Sequence, residues 1–323
     1  MDAIDYAIYR YLSPDGLIRF WGARRLVDPR VSAREIADRV GLSEPGVRAR
    51  MKGLEERGFL RGRETGANPS LFGVSLVVSE IPLHEPHEAE DLFRELALVD
   101  GVTFARDILD ETDRSVRVFY VSDNPAATAR RTSLLRELAP SSELRGPVPY
   151  WIPSCDRALT RLDWRMLEAF RKHPEATQRD LAEEVGVSLK TTAARLHQLL
   201  ESRAMWSALS SSSEEFPLAM LSILVREGVD PVTVARDVVR VHPSWMPVAA
   251  DGAGVPPSEA PRGFAGLVPA ESPVALEQAV RRTLAIEGVA SIRRTFALGS
   301  ATFPQWFDER LVAQMKSFSG RGR

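Results

Sequence analysis

Apolar residues near the start of the chain recur at the three- and four-residue intervals of a helix face. They are Ile36, Val40, Val47, Met51 and Leu54. Between the two groups, Gly41 suits the left-handed residue that ends a helix, and Ser43 suits the N-cap of the next one. A helix, a glycine turn and a serine-capped helix form the helix-turn-helix layout. The pattern therefore predicts such a unit at the start of the chain.

This pattern occurs twice, and a repeat of this length determines how the whole chain is read. Residues 34–43 align with residues 179–188, and the same offset continues to Leu54 and Leu199. Upstream, Asp5 aligns with Asp163 once about 13 extra residues around Ser13 to Arg30 are allowed in the first copy. The simplest interpretation is a tandem duplication of one unit.

After each helical unit the pattern changes to alternating strands separated by two helices. In the first copy the predicted elements are strand 72–83, helix 88–98, strands 102–109 and 116–121, helix 125–138 and strand 147–151. In the second copy they are strand 218–226, helix 231–241, strands 245–250 and 263–268, helix 273–286 and strand 289–298. The order β-α-β-β-α-β is ferredoxin-like. We expect an α+β protein in which two winged helix-turn-helix domains alternate with two ferredoxin-like domains.

The predicted domains follow from these changes of pattern. They are winged helix-turn-helix domains at 1–66 and 153–212, ferredoxin-like sensing or assembly domains at 67–152 and 213–316, and a flexible tail at 317–323. A ferredoxin-like sheet has one face without helices, and we expect the two sheets to cover these faces against each other. The apolar positions expected on the open face of the first sheet are Val74, Leu76, Val78, Val116 and Val118.

Charge distinguishes the units more than the overall composition does. The 323 residues have a formal net charge of −2, which excludes a uniformly basic surface for nucleic acid. Residues 1–65 hold 13 basic and 10 acidic residues, whereas residues 71–150 hold 8 and 14. The second helical unit, residues 163–210, is balanced with 7 of each. We therefore expect two unequal DNA-binding heads, the first being the stronger because phosphate contacts dominate affinity.

Candidate DNA contacts lie on and after the serine-capped helices, which should enter major grooves as recognition helices do. In the first copy they are Ser43, Glu44, Arg48, Arg50, Lys52, Arg61 and Arg63; in the second they are Ser188, Lys190, Thr191, Arg195 and Gln198. Arg50 and Arg195 occupy one position of the repeat. They would contact a phosphate or form an ion pair within their own domain, and the sequence leaves both alternatives open.

Together these residues resemble the Lrp/AsnC family of bacterial and archaeal transcription regulators. The resemblance lies in residues 35–37, 40–43, 47–51 and 54–60, in the linker 68–73, and in Glu287-Gly288-Val289 before the last strand. It implies a transcription regulator that binds double-stranded DNA and forms a homodimer through its ferredoxin-like domains. It also implies a small-molecule effector at the middle hairpin, for which the second copy offers Asp251, Gly252 and Arg262 and the first offers residues 107–114.

The sequence lacks the common catalytic signatures. The sequence contains no P-loop, no G-x-S-x-G and no H-E-x-x-H, and its single cysteine excludes an intramolecular disulfide. We expect no catalytic residues, no metal and no cofactor, and hence no enzyme. The start lacks a secretory signal pattern, and no apolar run reaches the length of a membrane helix, so we expect a cytoplasmic protein without membrane contact.

Two alternatives remain open at this point. Siroheme decarboxylases resemble the same architecture, and in that case Arg106, Arg240 and His242 would be recruited around a tetrapyrrole. The other alternative is a ligand-sensing or assembly protein whose heads no longer bind DNA. A tetrapyrrole absorption band in the purified protein would distinguish the enzyme from the regulator.

Overall fold

The fold was analysed in a computed structural model, which describes residues 3–12, 32–85, 88–110, 113–140, 143–150, 154–155, 157–211, 218–242, 246–249, 263–269 and 272–319. The first half contains α1 (Ala3–Leu12), α2 (Ala33–Val40), α3 (Glu44–Glu56), β1 (Leu60–Ala67), a 3-10 turn (Pro69–Phe72), β2 (Ser75–Leu83), α4 (Glu88–Leu96), β3 (Val102–Asp110), β4 (Arg114–Ser122), α5 (Pro125–Leu138) and β5 (Arg145–Tyr150). The second half contains α6 (Arg161–Lys172), α7 (Gln178–Val185), α8 (Leu189–Glu201), β6 (Met205–Ser211), β7 (Leu218–Val225), α9 (Pro231–Val241), β8 (Met246–Ala249), β9 (Gly263–Pro269), α10 (Pro273–Leu284), β10 (Val289–Thr302) and α11 (Gln305–Ser319).

The predicted helical units are present in both copies; we call α1–α3 head 1 and α6–α8 head 2. In head 1, Gly41 adopts φ 70° at the end of α2, and the Ser43 side chain accepts a hydrogen bond from the Gly46 amide at the start of α3. Gly186 (φ 71°) and Ser188 perform the same two roles in head 2. Local capping chemistry therefore builds the same turn twice.

The two ferredoxin-like units also form as predicted, and they join into a single antiparallel sheet of eight strands. Its order is β5-β2-β4-β3-β10-β7-β9-β8. Each half has the order fourth, first, third, second strand, as the ferredoxin-like topology requires. The two halves meet where β3 pairs with β10, over a register that runs from Thr302 opposite Phe104 to Thr295 opposite Asp110.

This junction corrects the expectation that the two sheets pack face to face, because they meet along their edges. Val116 and Val118 also lie on the other face from the one expected. They belong to the core of the first unit beneath α4 and α5, with Leu92 and Leu135. Leu76 instead belongs to a cluster shared with head 2. Hydrogen bonding between two unpaired strand edges satisfies backbone groups that face-to-face packing would leave open.

The wings of the two heads pair with each other as well. Strand β1 follows head 1, strand β6 follows head 2, and the two form an antiparallel ribbon in which Thr65 lies opposite Ser207 and Ala67 opposite Met205. Equivalent strands of the two copies thus pair about an approximate two-fold axis. The ribbon links the heads directly.

The heads differ in how they are attached to the rest of the molecule. The core of head 1 is a cluster of its own, centred on Ile8, Ile36 and Phe59. The core of head 2 continues without interruption into the sheet and the C-terminal helix: it joins residues of α6 such as Phe170 to residues of α11 such as Leu311. Head 2 is therefore packed into the body of the molecule, while head 1 has a separate core.

Helix α11 was not expected from the sequence. Its residues Phe307, Leu311, Met315 and Phe318 follow a helical period, so the signal was present. The helix runs to Ser319, and the segment 317–323 expected to be a flexible tail therefore begins inside it. Residues 320–323 lie outside the described residues, as does the whole extra segment from Ser13 to Arg30.

Candidate nucleic-acid interface

The outer face of α3 carries two exposed cations. The side chains of Arg48 and Lys52 are 66% and 74% exposed. Each forms an ion pair along the helix, Arg48 with Glu44 at 2.7 Å and Lys52 with Glu56 at 3.4 Å. Exposed pairs of this kind hold their partners weakly, so both cations are available to a phosphate or a base edge. Val47 and Leu54 on the opposite face are buried and orient the helix.

The sequence left two alternatives open for Arg50 and Arg195, a phosphate contact or an ion pair within their own domain. In the structure both form the ion pair. Arg50 Nη1 lies 2.7 Å from Asp5 Oδ1, and Arg195 Nη1 lies 3.3 Å from Asp163 Oδ1. In both heads this pair fastens the recognition helix to the first helix. A phosphate contact by these two arginines stays a prediction. Such a contact requires each guanidinium to bind the phosphate and its aspartate at the same time.

The aspartate of head 2, Asp163, has further partners besides Arg195. Asp163 is fully buried, and its carboxylate accepts hydrogen bonds from the amide and hydroxyl of Thr160. Arg157 forms a second ion pair with it. Burial alone would raise the pKa of Asp163, but the hydrogen bonds from Thr160 and the charge of Arg157 outweigh it and lower that pKa below its usual value. The carboxylate therefore stays charged inside the head.

The recognition helix of head 2 presents a different surface. Counting from the capping serines, Arg48 corresponds to Ala193 and Lys52 corresponds to His197. Leu189, at the position of Glu44, is 49% exposed. His197 lies 3.1 Å from Glu201 on the same helix. The two cations that distinguish α3 are thus replaced by a methyl group and an imidazole.

The remaining candidates of head 2 lie on or at the start of α8, as the sequence predicts, and they differ in their contacts. Lys190 is exposed, and the Ser188 side chain caps α8 by accepting from the Thr191 amide. Gln198 is engaged by the linker between the copies, since Arg157 Nη1 donates to its Oε1 at 3.2 Å. In head 1, Arg61 and Arg63 belong to β1, so the predicted wing is a paired strand; their side chains lie outside the described part of the chain.

Of the residues considered for an effector site or an enzyme site, some lie outside the described part of the chain and others lie within it. Asp251, Gly252 and Arg262 lie outside the described residues. His242 is 5% exposed, and its Nε2 is 3.0 Å from the Thr283 hydroxyl between α9 and α10. Burial, with a contribution from the charge of Arg282, lowers the pKa of His242 to about 4. A neutral, enclosed imidazole of this kind holds two helices together.

Among the described residues, no group of three or more His, Cys, Asp or Glu side chains is arranged to hold a metal ion. Within the same residues, no helix is long and apolar enough to cross a membrane.

Comparison with known families matches the two heads specifically. Residues 26–61 and 159–202 both match the winged helix-turn-helix DNA-binding family. The transcriptional regulator LrpA of Pyrococcus horikoshii is 46% identical over 50 residues, which cover 16% of this chain and 36% of that protein. The leucine-responsive regulatory protein of Rhizobium meliloti is 38% identical over 77 residues, which cover 24% and 41%. The chain carries two winged helix-turn-helix units in tandem, and part of it is similar in sequence to Lrp-type regulators.

The likeness to these Lrp-type regulators is partial in length, since the chain spans less than half of each of the two. Among solved structures, the siroheme decarboxylase NirDL aligns over 98% of this chain and 99% of its own, with 11% identity and a TM-score of 0.44. The Lrp-type regulator LrpA of Mycobacterium tuberculosis aligns over 49% of this chain and 96% of its own, with 23% identity and a TM-score of 0.30.

Proposed function

We propose that this chain is a sequence-specific, DNA-binding transcription regulator of the Lrp/AsnC type, and that head 1 supplies its principal DNA-reading helix. The observation that carries the proposal is the outer face of α3, where Arg48 and Lys52 stand exposed on a serine-capped helix of a helix-turn-helix unit. Cations on such a helix match the phosphates that line the major groove. A DNA regulator of this kind works in the cytoplasm.

Within this proposal the two heads have different tasks. Head 2 lacks the two cations of α3, and Arg157 from the linker contacts its Gln198. Its hydrophobic core is shared with α11 and the sheet. We infer that head 2 mainly supports the wing ribbon that holds head 1, and that Lys190 and Thr191 add weaker DNA contacts.

The homodimer is a further part of the proposal, and the outer edges of the sheet restrict how it forms. Strand β5 contains Pro147 and Pro149, and strand β8 contains Pro247. Proline has no amide hydrogen to extend a ladder, and its place in sheets is at edges that are protected from further pairing. Association of whole chains should therefore use helices or sheet faces rather than these edges. Light scattering at two concentrations measures the stoichiometry.

The proposal is tested by selecting genomic DNA fragments with the purified full chain. A regulator should enrich fragments that share a short motif and should bind them more tightly than random fragments of the same length at the same salt concentration. Binding that is independent of sequence, or no binding at low salt, would contradict the proposal. The same preparation is scanned for a tetrapyrrole absorption band and titrated with siroheme, because stoichiometric binding would favour the enzyme alternative.

A further inference from the structure

Strand β1 connects head 1 to the rest of the molecule. Head 1 has a hydrophobic core of its own, and β1 follows its recognition helix α3. From there β1 pairs with β6 in the wing ribbon and packs on α6 of head 2. The direction in which head 1 is held therefore depends on how this ribbon is fastened.

The base of the ribbon is fastened at Asn68, the residue after β1. Asn68 is buried; its amide donates to the Ala204 carbonyl at 2.9 Å, and its Nδ2 donates to the Arg203 carbonyl at 2.7 Å. Arg203 adopts φ 59°, where the equivalent residue of the first copy is Gly58 with φ 70°. A left-handed backbone is unfavourable for a residue with a side chain. The bonds from Asn68 thus hold this turn of head 2 and fix the end of β1 to it.

A second fastening point lies three residues earlier in β1. Arg171, near the end of α6, donates from Nη1 to the Thr65 carbonyl at 2.8 Å and from Nη2 to the Pro304 carbonyl at 3.1 Å. Its Nε pairs with the Asp308 carboxylate. Pro304 and Asp308 lie at the start of α11, which follows the junction strand β10. One guanidinium therefore joins head 2, the wing ribbon and the C-terminal helix.

The surroundings of this guanidinium make the connection rigid. The Arg171 side chain is 10% exposed, and its guanidinium carbon lies 5.8 Å from the centre of the Phe307 ring. Phe307 belongs to the core that head 2 and α11 share. A guanidinium holds its N–H donors in a fixed planar fork, so acceptors on two separate segments fix its orientation as well as its position. Arg171 is thus placed to resist a rotation of β1 about its base.

We propose that Arg171 is a positioning residue for DNA recognition, because it fixes the direction in which the wing ribbon holds head 1. With Asn68 as the only fastening, the ribbon would be held at its base and could pivot there. The contact at Thr65 adds the second point that a fixed direction requires. The effect on the position of head 1 needs no DNA, whereas the effect on DNA affinity rests on the proposed function.

The first test measures distances between pairs of spin labels on the full chain without DNA. In a Cys155→Ser background, one label is attached through Glu95→Cys on α4. The other is attached through Asp38→Cys in head 1 or through the equivalent Glu183→Cys in head 2; all three native side chains are exposed.

In Arg171→Met, the distances between head 1 and α4 should spread over a wider range than in the unsubstituted protein. The distances between head 2 and α4 should keep their range, because head 2 shares its core with α11 and the sheet. No widening for head 1, or equal widening for both heads, would refute the proposal.

Two further variants separate positioning from general stability. Arg131→Met removes another buried arginine, which donates to the carbonyls of Asp100 and Val121 within the first ferredoxin-like unit. It should lower the melting temperature and leave the range of distances to head 1 unchanged; widening as large as in Arg171→Met would contradict the proposal. Arg171→Lys keeps a charge beside Asp308 but lacks the planar fork, so it should widen the distances less than Arg171→Met. If Arg171→Met does not fold, a lack of widening in Arg171→Lys would refute the proposal.

DNA binding separates this inference from the proposed function. Because Arg171 is engaged inside the molecule, Arg171→Met should weaken binding of the selected fragment without changing the slope of log K against log salt. A shallower slope would make Arg171 a phosphate contact and overturn the positioning role. Unchanged affinity would refute the role in DNA recognition. If the unsubstituted chain binds no DNA, the proposed function fails, and the label distances still decide whether Arg171 positions head 1.

Discussion

Removing the two exposed cations of α3 should weaken DNA binding by an amount that the structure allows us to estimate. Within the described part of the chain, Arg48 and Lys52 each pair only with a glutamate on the same helix. Such exposed pairs stabilise a helix by roughly 0.3–0.5 kcal/mol, so the double variant Arg48→Ala and Lys52→Ala should remain folded. Each lost phosphate contact reduces the slope of log K against log salt by about 0.9. The slope should therefore become shallower by about 1.8, which corresponds to about 60-fold weaker binding at 0.1 M salt.

The assay is fluorescence anisotropy on a selected DNA fragment at several salt concentrations. A matched control is Arg94→Ala with Lys172→Ala, since both side chains are exposed, pair with a carboxylate on their own helix and lie away from α3. This control removes the same total charge and should change the slope little. Equal slopes for wild type and the α3 variant, or an equal loss in the control, would show that α3 is not the DNA-reading helix.

Three further predictions concern the rest of the molecule. Installing the α3 cations in head 2 by Ala193→Arg and His197→Lys should steepen the slope of log K against log salt by up to about two units if α8 reaches DNA. The equally spaced Ala313→Arg and Ser317→Lys on α11 are the control and should leave the slope unchanged. Equal slopes for the α8 and α11 double variants would place α8 away from the DNA. His242 stays neutral in the fold because its pKa is lowered to about 4. Its contribution to the free energy of unfolding is therefore fully present above about pH 6.5, and the free energy should fall by about 3 kcal/mol as the pH decreases towards 4. Urea unfolding at both pH values should show this loss in the wild type and a smaller one in His242→Gln. Leu311→Ala removes a buried contact between α11 and head 2 and should cost roughly 2–5 kcal/mol, while its exposed neighbour in Val312→Ala should cost little; equal melting temperatures for the two variants would show that α11 does not hold head 2.

The sequence by itself determined the local structure and its repetition. Gly41 and Gly186 end helices because they tolerate a positive φ, and Ser43 and Ser188 begin helices because their hydroxyls accept the first free amides. These effects act within a few residues, and so does the hydrophobic period that predicted both ferredoxin-like units. The cationic face of α3 followed from the same helical spacing, because residues four apart lie on one face.

Only the tertiary structure decided how the copies meet. The alternating pattern of β3 or β10 places residues on two faces but does not state whether a strand edge or a sheet face receives the partner, and here the edges pair. The partner of Arg50 is Asp5, 45 residues away, and no local pattern predicts that distance. Arg106 likewise looks like any other charged strand residue in the sequence. Its neighbours on the adjacent strands, Arg117 and Ser300, are set only in the fold, because the burial and pairing of a charge depend on segments far apart in the chain.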